Sequence, residues 1–187
     1  MVAHCIFVDD GEIARLAEWG TSVAHCPSTC CLISEGAPPV ATMRAAGVNV
    51  GLAVDGAGSE HASMWLEAHT ALLLGRLRTG PTTMSARDVL EMATLGSARC
   101  LGREARNGFL APGACGDLVA WPLEGIRFAG AWSDPVEAWL RCGPVAPRHT
   151  VVAGKPVVRD SALAVPGLDD MLKRHAAISR EWQDAAA

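Results

Sequence analysis

Val50-Gly51-Leu52-Ala53-Val54-Asp55 carries an apolar run straight into a carboxylate, at the place where a strand hands over to a loop. The chain does the same twice more, in Val2-Ala3-His4 and in Ser22-Val23-Ala24-His25. In a parallel barrel the chemistry is assembled from side chains at the carboxyl ends of successive strands, because all those ends open on one face. Two histidines and an aspartate delivered there make a hydrolytic metal site the leading expectation, with His4, His25 and Asp55 as its candidates. Met1 stands almost on top of the first of these strands, so the chain reads as the back half of a larger enzyme.

Bulk properties narrow the alternatives. The 187 residues include 16 basic and 20 acidic side chains. This mild acidity argues against a nucleic-acid or membrane-surface role carried by charge. Small molecules, or the chain itself, are the expected partners. Half the residues are hydrophobic, but the apolar runs are broken far short of the roughly 20 residues a membrane span needs. His4 and Asp9-Asp10 follow Met1 at once, without the basic and then apolar pattern of a secretory signal, and a cytoplasmic location is expected. Seven cysteines contain no C-x-x-C pair and read as reduced, mostly buried thiols. His25, Cys26, Cys30 and Cys31 have the donor types for zinc, yet structural zinc sites draw paired ligands from two separate segments, which disfavours that cluster.

The first hundred residues alternate strand and helix in the order βαβαβαα. Asp9 and Asp10 cap a helix through Ile13 and Leu16 that Gly20 ends. The second strand passes into a long polar connection, Cys26 to Gly36, before Pro38 and Pro39 start a short helix that Gly47 terminates. After the third strand, a helix from about Ser63 to Leu77 carries a stripe of Leu66, Leu73, Leu74 and Leu77. Ser85-Ala86-Arg87-Asp88 is a capping box for the next. From near Asn107, Gly and Pro recur between short alternating runs at Gly116 to Trp121, Thr150 to Ala153 and Pro156 to Val158, which read as strands of a small sheet. Asp134 and Pro135 open a helix between them, and Asp169 to Trp182 forms a last one.

Each candidate has a blander reading. Asp55 can simply cap its own loop, and His4 or His25 can be core imidazoles bonded to backbone; their equivalent places at strand ends favour the functional reading. His61 and His69 lie eight apart, not at the four-residue spacing that puts two imidazoles on one metal, and read as surface or loop residues. Glu67 and Glu91 read as solvated helix residues. Cys5 and Cys26 each follow a histidine, but neighbours on a strand point to opposite faces and make poor nucleophile–base pairs. The glycines at 56 and 58 lack the lysine of a phosphate loop, and no H-x-E accompanies a P-C-x-x-C.

Ala3-His4-Cys5, Ala24-His25-Cys26-Pro27-Ser28, Gly36-Ala37-Pro38, Val54-Asp55-Gly56 and Met92-Ala93-Thr94 resemble the carboxyl-terminal half of amidohydrolase-superfamily deaminases. Gly108 to Gly113 and Gly116 to Val119 resemble the strands that return to that family's small β-sandwich. Ile126 to Ala131, Asp134-Pro135-Val136 and Cys142-Gly143-Pro144 look most like 8-oxoguanine deaminases. The resemblance implies an α/β chain. Residues 1–106 would be the last three βα units of a (β/α)8 TIM barrel, 107–165 part of the β-sandwich with an inserted helix, and 166–187 a terminal helix and tail.

The same resemblance implies function. It points to metal-dependent hydrolytic deamination of an aminopurine-type heterocycle, 8-oxoguanine to urate and ammonia first. One divalent ion, zinc by expectation, would be held by Asp55, which also takes a proton from water. His4 would position the attacking oxygen and the substrate, and His25 would bind substrate. The family usually has Asn where Cys30 and Glu60 stand, so the substrate loops are altered. Its H-x-H and H-x-x-E ligand motifs have no counterpart in these residues, and catalytic zinc normally has three protein ligands. A catalytically inactive half that folds only with a complementary chain or with copies of itself is therefore the alternative, and a small free-standing α/β binding module a third. On this reading the isolated chain has two open strand edges and uncovered faces at Val2, Val23, Val50, Leu52 and Val54, and should fold poorly.

Overall fold

The computed structural model describes residues 1–56 and 62–185, which form a mixed α/β fold in two compact units. The first comprises Met1–Cys115 and Trp121–Ala146. Its three strands, β1 (Val2–Ala3), β2 (Val23–His25) and β3 (Val50–Leu52), make a parallel sheet in sequence order, with Val2 opposite Val23 and Val23 opposite Val50. The strands are short, so each candidate side chain falls at or just beyond a carboxyl end.

Helix α1 (Asp10–Glu18) starts where the sequence placed it. Asp9 accepts from the Glu12 amide, Glu12 returns a bond to the Asp9 amide, and Ile13 carries the buried face. Gly20 follows with φ near +60°, a conformation glycine adopts without steric cost. The connection after β2 is not the expected polar loop. It contains helix α2 (Pro27–Leu32), with Pro27 in the first turn, where its missing amide removes no helical bond. Helix α3 (Val40–Ala45) then leads into β3.

Helix α4 (Met64–Thr79) is capped by Ser63, but its buried face is not the leucine stripe. Trp65, Glu67, Ala68, Ala71 and Leu72 are buried, whereas Leu73 and Leu77 are exposed. The buried face combines Trp65 and Leu72 with two small alanines and the Glu67 carboxylate that bonds Ser28. Helix α5 (Ala86–Glu91) has the expected capping box between Ser85 and Asp88 and runs through a π-helical turn (Met92–Gly96) into α6 (Ser97–Cys100). That turn packs on β3 so tightly that a Cβ on Gly96 would collide with the Val50 carbonyl oxygen. Ser97 Oγ accepts from the Leu52 amide and shares its one proton between the Leu52 and Met92 carbonyls. Helix α7 (Pro135–Cys142), capped by Asp134, adds Trp139 and Leu140 to the same core. The span 107–165 is thus shared between the two units, because α7 buries its apolar face in the first.

The second unit, Gly116–Ala120 with Pro147–Ala187, is an antiparallel sheet with strands in sequence order: β4 (Leu118–Ala120), β5 (His149–Val152), β6 (Lys155–Arg159) and β7 (Ala162–Leu163). Ala153-Gly154 and Asp160-Ser161 are two-residue turns with positive φ at both positions, the geometry that matches the twist of paired strands. Helix α8 (Leu168–Ala185) follows, with none of its described residues buried. Among the described residues no helix is long and apolar enough to cross a membrane. All seven cysteines are free thiols, but only Cys26 and Cys30 are buried, so the expectation of mostly buried thiols fails.

Candidate active site

The parallel register brings the three strand ends together. The His4 amide donates to the Ala24 carbonyl and the Ala53 amide to the His25 carbonyl, which fixes the residues after β1 and β3 on either side of His25. His4 and Asp55 both have left-handed backbone, with φ of 63° and 65°. Asp and His tolerate that region better than most residues, and such strain concentrates where a side chain is held for a purpose. His4 Nε2 lies 3.5 Å from Asp55 Oδ2, with the side chains 33% and 37% exposed. Asp55 Oδ1 meanwhile accepts from the Gly56 amide at 2.8 Å. The carboxylate therefore caps its own loop with one oxygen and meets the imidazole with the other.

His25 is only 1% exposed, and burial pulls its pKa down to about 4, with the nearby His4 contributing less. Its imidazole is neutral at pH 7, and its Nδ1 is buried without a hydrogen-bond partner among the described residues. A neutral ring with an unused nitrogen can bond a substrate or ligate a metal. Cys26 is buried, and its thiol is pushed up to about 12 by burial first and by the Asp55 charge second. It stays protonated, so a Cys26 nucleophile is absent from the resting site.

The ligand atoms of His4, Cys26 and Asp55 all lie within 4.8 Å of one another, as do those of His4, Cys30 and Glu35. Imidazole, thiol and carboxylate are the donor types zinc prefers, so the residues fit such an ion. The disfavoured cluster of His25 with Cys26, Cys30 and Cys31 does not converge among the described residues, and Cys31 is exposed.

Two expectations need correction, and two more fall outside the described residues. Glu67 is not solvated; it is completely buried and accepts from both the Ser28 amide and the Ser28 hydroxyl, which ties α4 to the first turn of α2. His69 is not a free surface group: its Nδ1 lies 3.1 Å from the Leu140 carbonyl and its ring stacks on Trp65 at 5.0 Å. Glu91 is exposed as expected and pairs with Arg44. Glu60 and His61 lie outside the described residues. A hollow of about 210 Å³ lined by Arg44, Asn49, Glu91 and Arg99 sits at the other end of β3, where both arginines already face Glu91.

Comparison with known proteins places the chain in a family. Residues 1–157 match the amidohydrolase family. An 8-oxoguanine deaminase of Pseudomonas aeruginosa is 41% identical over 177 residues, 94% of this chain and 39% of that protein. A 5-methylthioadenosine/S-adenosylhomocysteine deaminase of Desulforudis audaxviator is 44% identical over 161 residues, covering 85% of this chain and 37% of its own length. Among solved structures, an adenosine deaminase of Xanthomonas campestris with bound zinc superposes with a TM-score of 0.87 at 28% identity, over 98% of this chain and 42% of that one. Atrazine chlorohydrolase of Arthrobacter aurescens complexed with zinc gives 0.85 at 28% identity, over 94% and 39%. The chain thus spans about two fifths of the length of these relatives. By sequence and by fold, this chain belongs to the amidohydrolase family.

Proposed function

We propose that this segment contributes to the hydrolytic deamination of an aminopurine-type heterocycle, with 8-oxoguanine first and guanine second. The observation that carries the reading is the His4–Asp55 pair, which meets across the ends of the two outer strands of the parallel sheet, with buried, neutral His25 on the strand between them. The structural units would correspond to the last three βα units of a (β/α)8 barrel and the returning strands of a small β domain. The 41% identity to an 8-oxoguanine deaminase supports the choice of substrate.

In this reading Asp55 and His4 face a single divalent ion, zinc by donor type and by the zinc in two similar structures. Such an ion, when bound, lowers the pKa of water toward neutrality. Asp55 Oδ2 accepts the proton that water gives up as its oxygen attacks the amino-bearing ring carbon. His4 orients that oxygen and the substrate, and the neutral ring of His25 bonds the heterocycle from the floor. The C–N bond then breaks and the proton leaves with the amine as ammonia. Catalytic zinc normally has three protein ligands, so in this reading further ligands would join His4 and Asp55. Free thiols at all seven cysteines suit a reducing compartment, and a cytoplasmic location is part of the proposal.

A second reading, a non-catalytic half that pairs with a complementary chain, is favoured by one feature: Val2 on the end strand β1 is 41% exposed. Ammonia release from purines, pyrimidines and triazines, measured on the 187-residue chain alone and with a complementary segment carrying H-x-H and H-x-x-E, separates the two. Deamination that depends on both His4 and Asp55 is expected. Exclusive turnover of a non-aromatic amide defeats the substrate assignment, and a stable mixed complex without turnover favours the second reading.

A further inference from the structure

A second set of metal-competent side chains meets beside the pair just described. His4 arrives from the end of β1, Cys30 from α2, and Glu35 from the turn after α2, whose amide donates to the Cys30 carbonyl at 3.2 Å. Their ligand atoms all lie within 4.8 Å of one another. A thiol with an imidazole and a carboxylate suits zinc, and a sulfur donor disfavours magnesium and calcium. Cys30 is 1% exposed whereas Glu35 is exposed. The set therefore offers one soft donor fixed in the interior and one carboxylate free to rotate. Nδ1 of His4 is buried and has no hydrogen-bond partner among the described residues. Buried polar atoms are nearly always paired, so an unpartnered nitrogen leaves His4 with a bonding capacity that its contact with Asp55 through Nε2 does not use. Tetrahedral zinc with bonds of about 2.0–2.3 Å holds its ligand atoms roughly 3.3–3.7 Å apart. Closure from within 4.8 Å to that spacing asks for side-chain shifts of about 1 Å, which His4 and Glu35, neither of them buried, can make toward Cys30.

We propose that this chain binds a thiophilic divalent cation, zinc in the first instance, through Cys30, His4 and Glu35. The Cys30 proton passes to solvent as the sulfur–metal bond forms. His4 is common to this set and to the pair with Asp55. A cation held by Cys30 and Glu35 therefore competes for the imidazole that the proposed deamination uses, and the site is inhibitory toward it. Binding itself does not depend on the deaminase reading.

Cobalt(II) in place of zinc reports the sulfur donor directly, through a thiolate charge-transfer band in the near ultraviolet. Titrating the purified 187-residue chain is expected to give a saturable band that zinc displaces. The band should vanish in Cys30→Ser, and cobalt affinity should fall by about tenfold or more in Glu35→Gln. Cys26→Ser and Asp55→Asn should keep it. A band that survives Cys30→Ser, or that only Cys26→Ser removes, overturns the assignment. Glu35 is exposed, so its variant keeps the packing; if Cys30→Ser fails to fold, unchanged cobalt affinity in Glu35→Gln overturns the proposal alone. No ammonia is measured, so failure of the deaminase reading leaves this result readable.

Discussion

Asp55 has two oxygens with separate tasks, and a single substitution tells them apart. Asparagine retains a carbonyl oxygen for the Gly56 amide and tolerates the left-handed backbone, so Asp55→Asn should fold like the parent. It removes the anionic oxygen facing His4 and the proton acceptor with it. Deamination by the complete site should drop by about 10²–10⁴-fold, the usual worth of a positioned base. Parental rates in a variant whose thermal melt is unchanged would end the assignment of Asp55. His25 makes a second prediction through its depressed pKa. The unfolded chain holds a proton on this ring below about 6.5 and the folded chain only below about 4. Between those values the unfolded state binds more protons, so stability present at pH 7 is lost as the pH falls through that window. The loss amounts to about 3 kcal/mol at most. Thermal melts between pH 7 and 4 should show this slope, and His25→Gln should flatten it; a slope equal in both proteins would assign the effect elsewhere.

At the scale of elements, what the sequence reveals depends on how local the cause is. Helix α1 was legible because Asp9, Glu12 and Gly20 act on their own neighbours, and the strand ends were legible because an apolar run stops at a polar group. Helix α2 was not legible. Pro-Ser-Thr-Cys-Cys has no apolar period, and its first turn is satisfied by Glu67, 39 residues away. That distant partner also explains why Glu67 was misread as solvated and why the nearness of Cys30 and Glu35 to His4 was invisible. The leucine stripe of α4 misled for a different reason, since the face through Trp65, Ala68, Ala71 and Leu72 is the one packed into the core. Two variants probe these tertiary causes. Glu67→Ala strands the Ser28 amide and hydroxyl in the interior and should destabilise by roughly 1–3 kcal/mol. Gly96→Ala drives a methyl into the Val50 carbonyl and should cost about 1–3 kcal/mol through overpacking. Denaturant melts measure both, and a neutral Gly96→Ala would mean that the packing of the π-helical turn on β3 has slack.

For the molecule as a whole, the sequence led us to expect two open sheet edges and uncovered apolar faces, but the structure covers much of both. Val23, Val50 and Leu52 are buried, although Val2 is not. The Val2 and His4 amides bond β2, so Ala3 points its backbone outward; its carbonyl is taken at 2.8 Å by the Cys5 amide across a tight turn at His4. On the other side, the Val23 amide reaches the Asn49 carbonyl and the Ala53 amide reaches the His25 carbonyl. Leu52 therefore points its amide and carbonyl away from β2, and the Ser97 hydroxyl bonds both. Short edges on which some of the outward polar groups are already bonded offer less to another chain than fully open ones. Ser97→Ala should reopen the β3 edge, with a stability loss of roughly 1–3 kcal/mol for the stranded backbone groups. It should also shift the chain toward larger species at micromolar concentration in light scattering after size-exclusion chromatography. If the variant matches its parent in both melt and mass, the Ser97 hydroxyl does not guard this edge, and whatever limits self-association lies elsewhere in the fold.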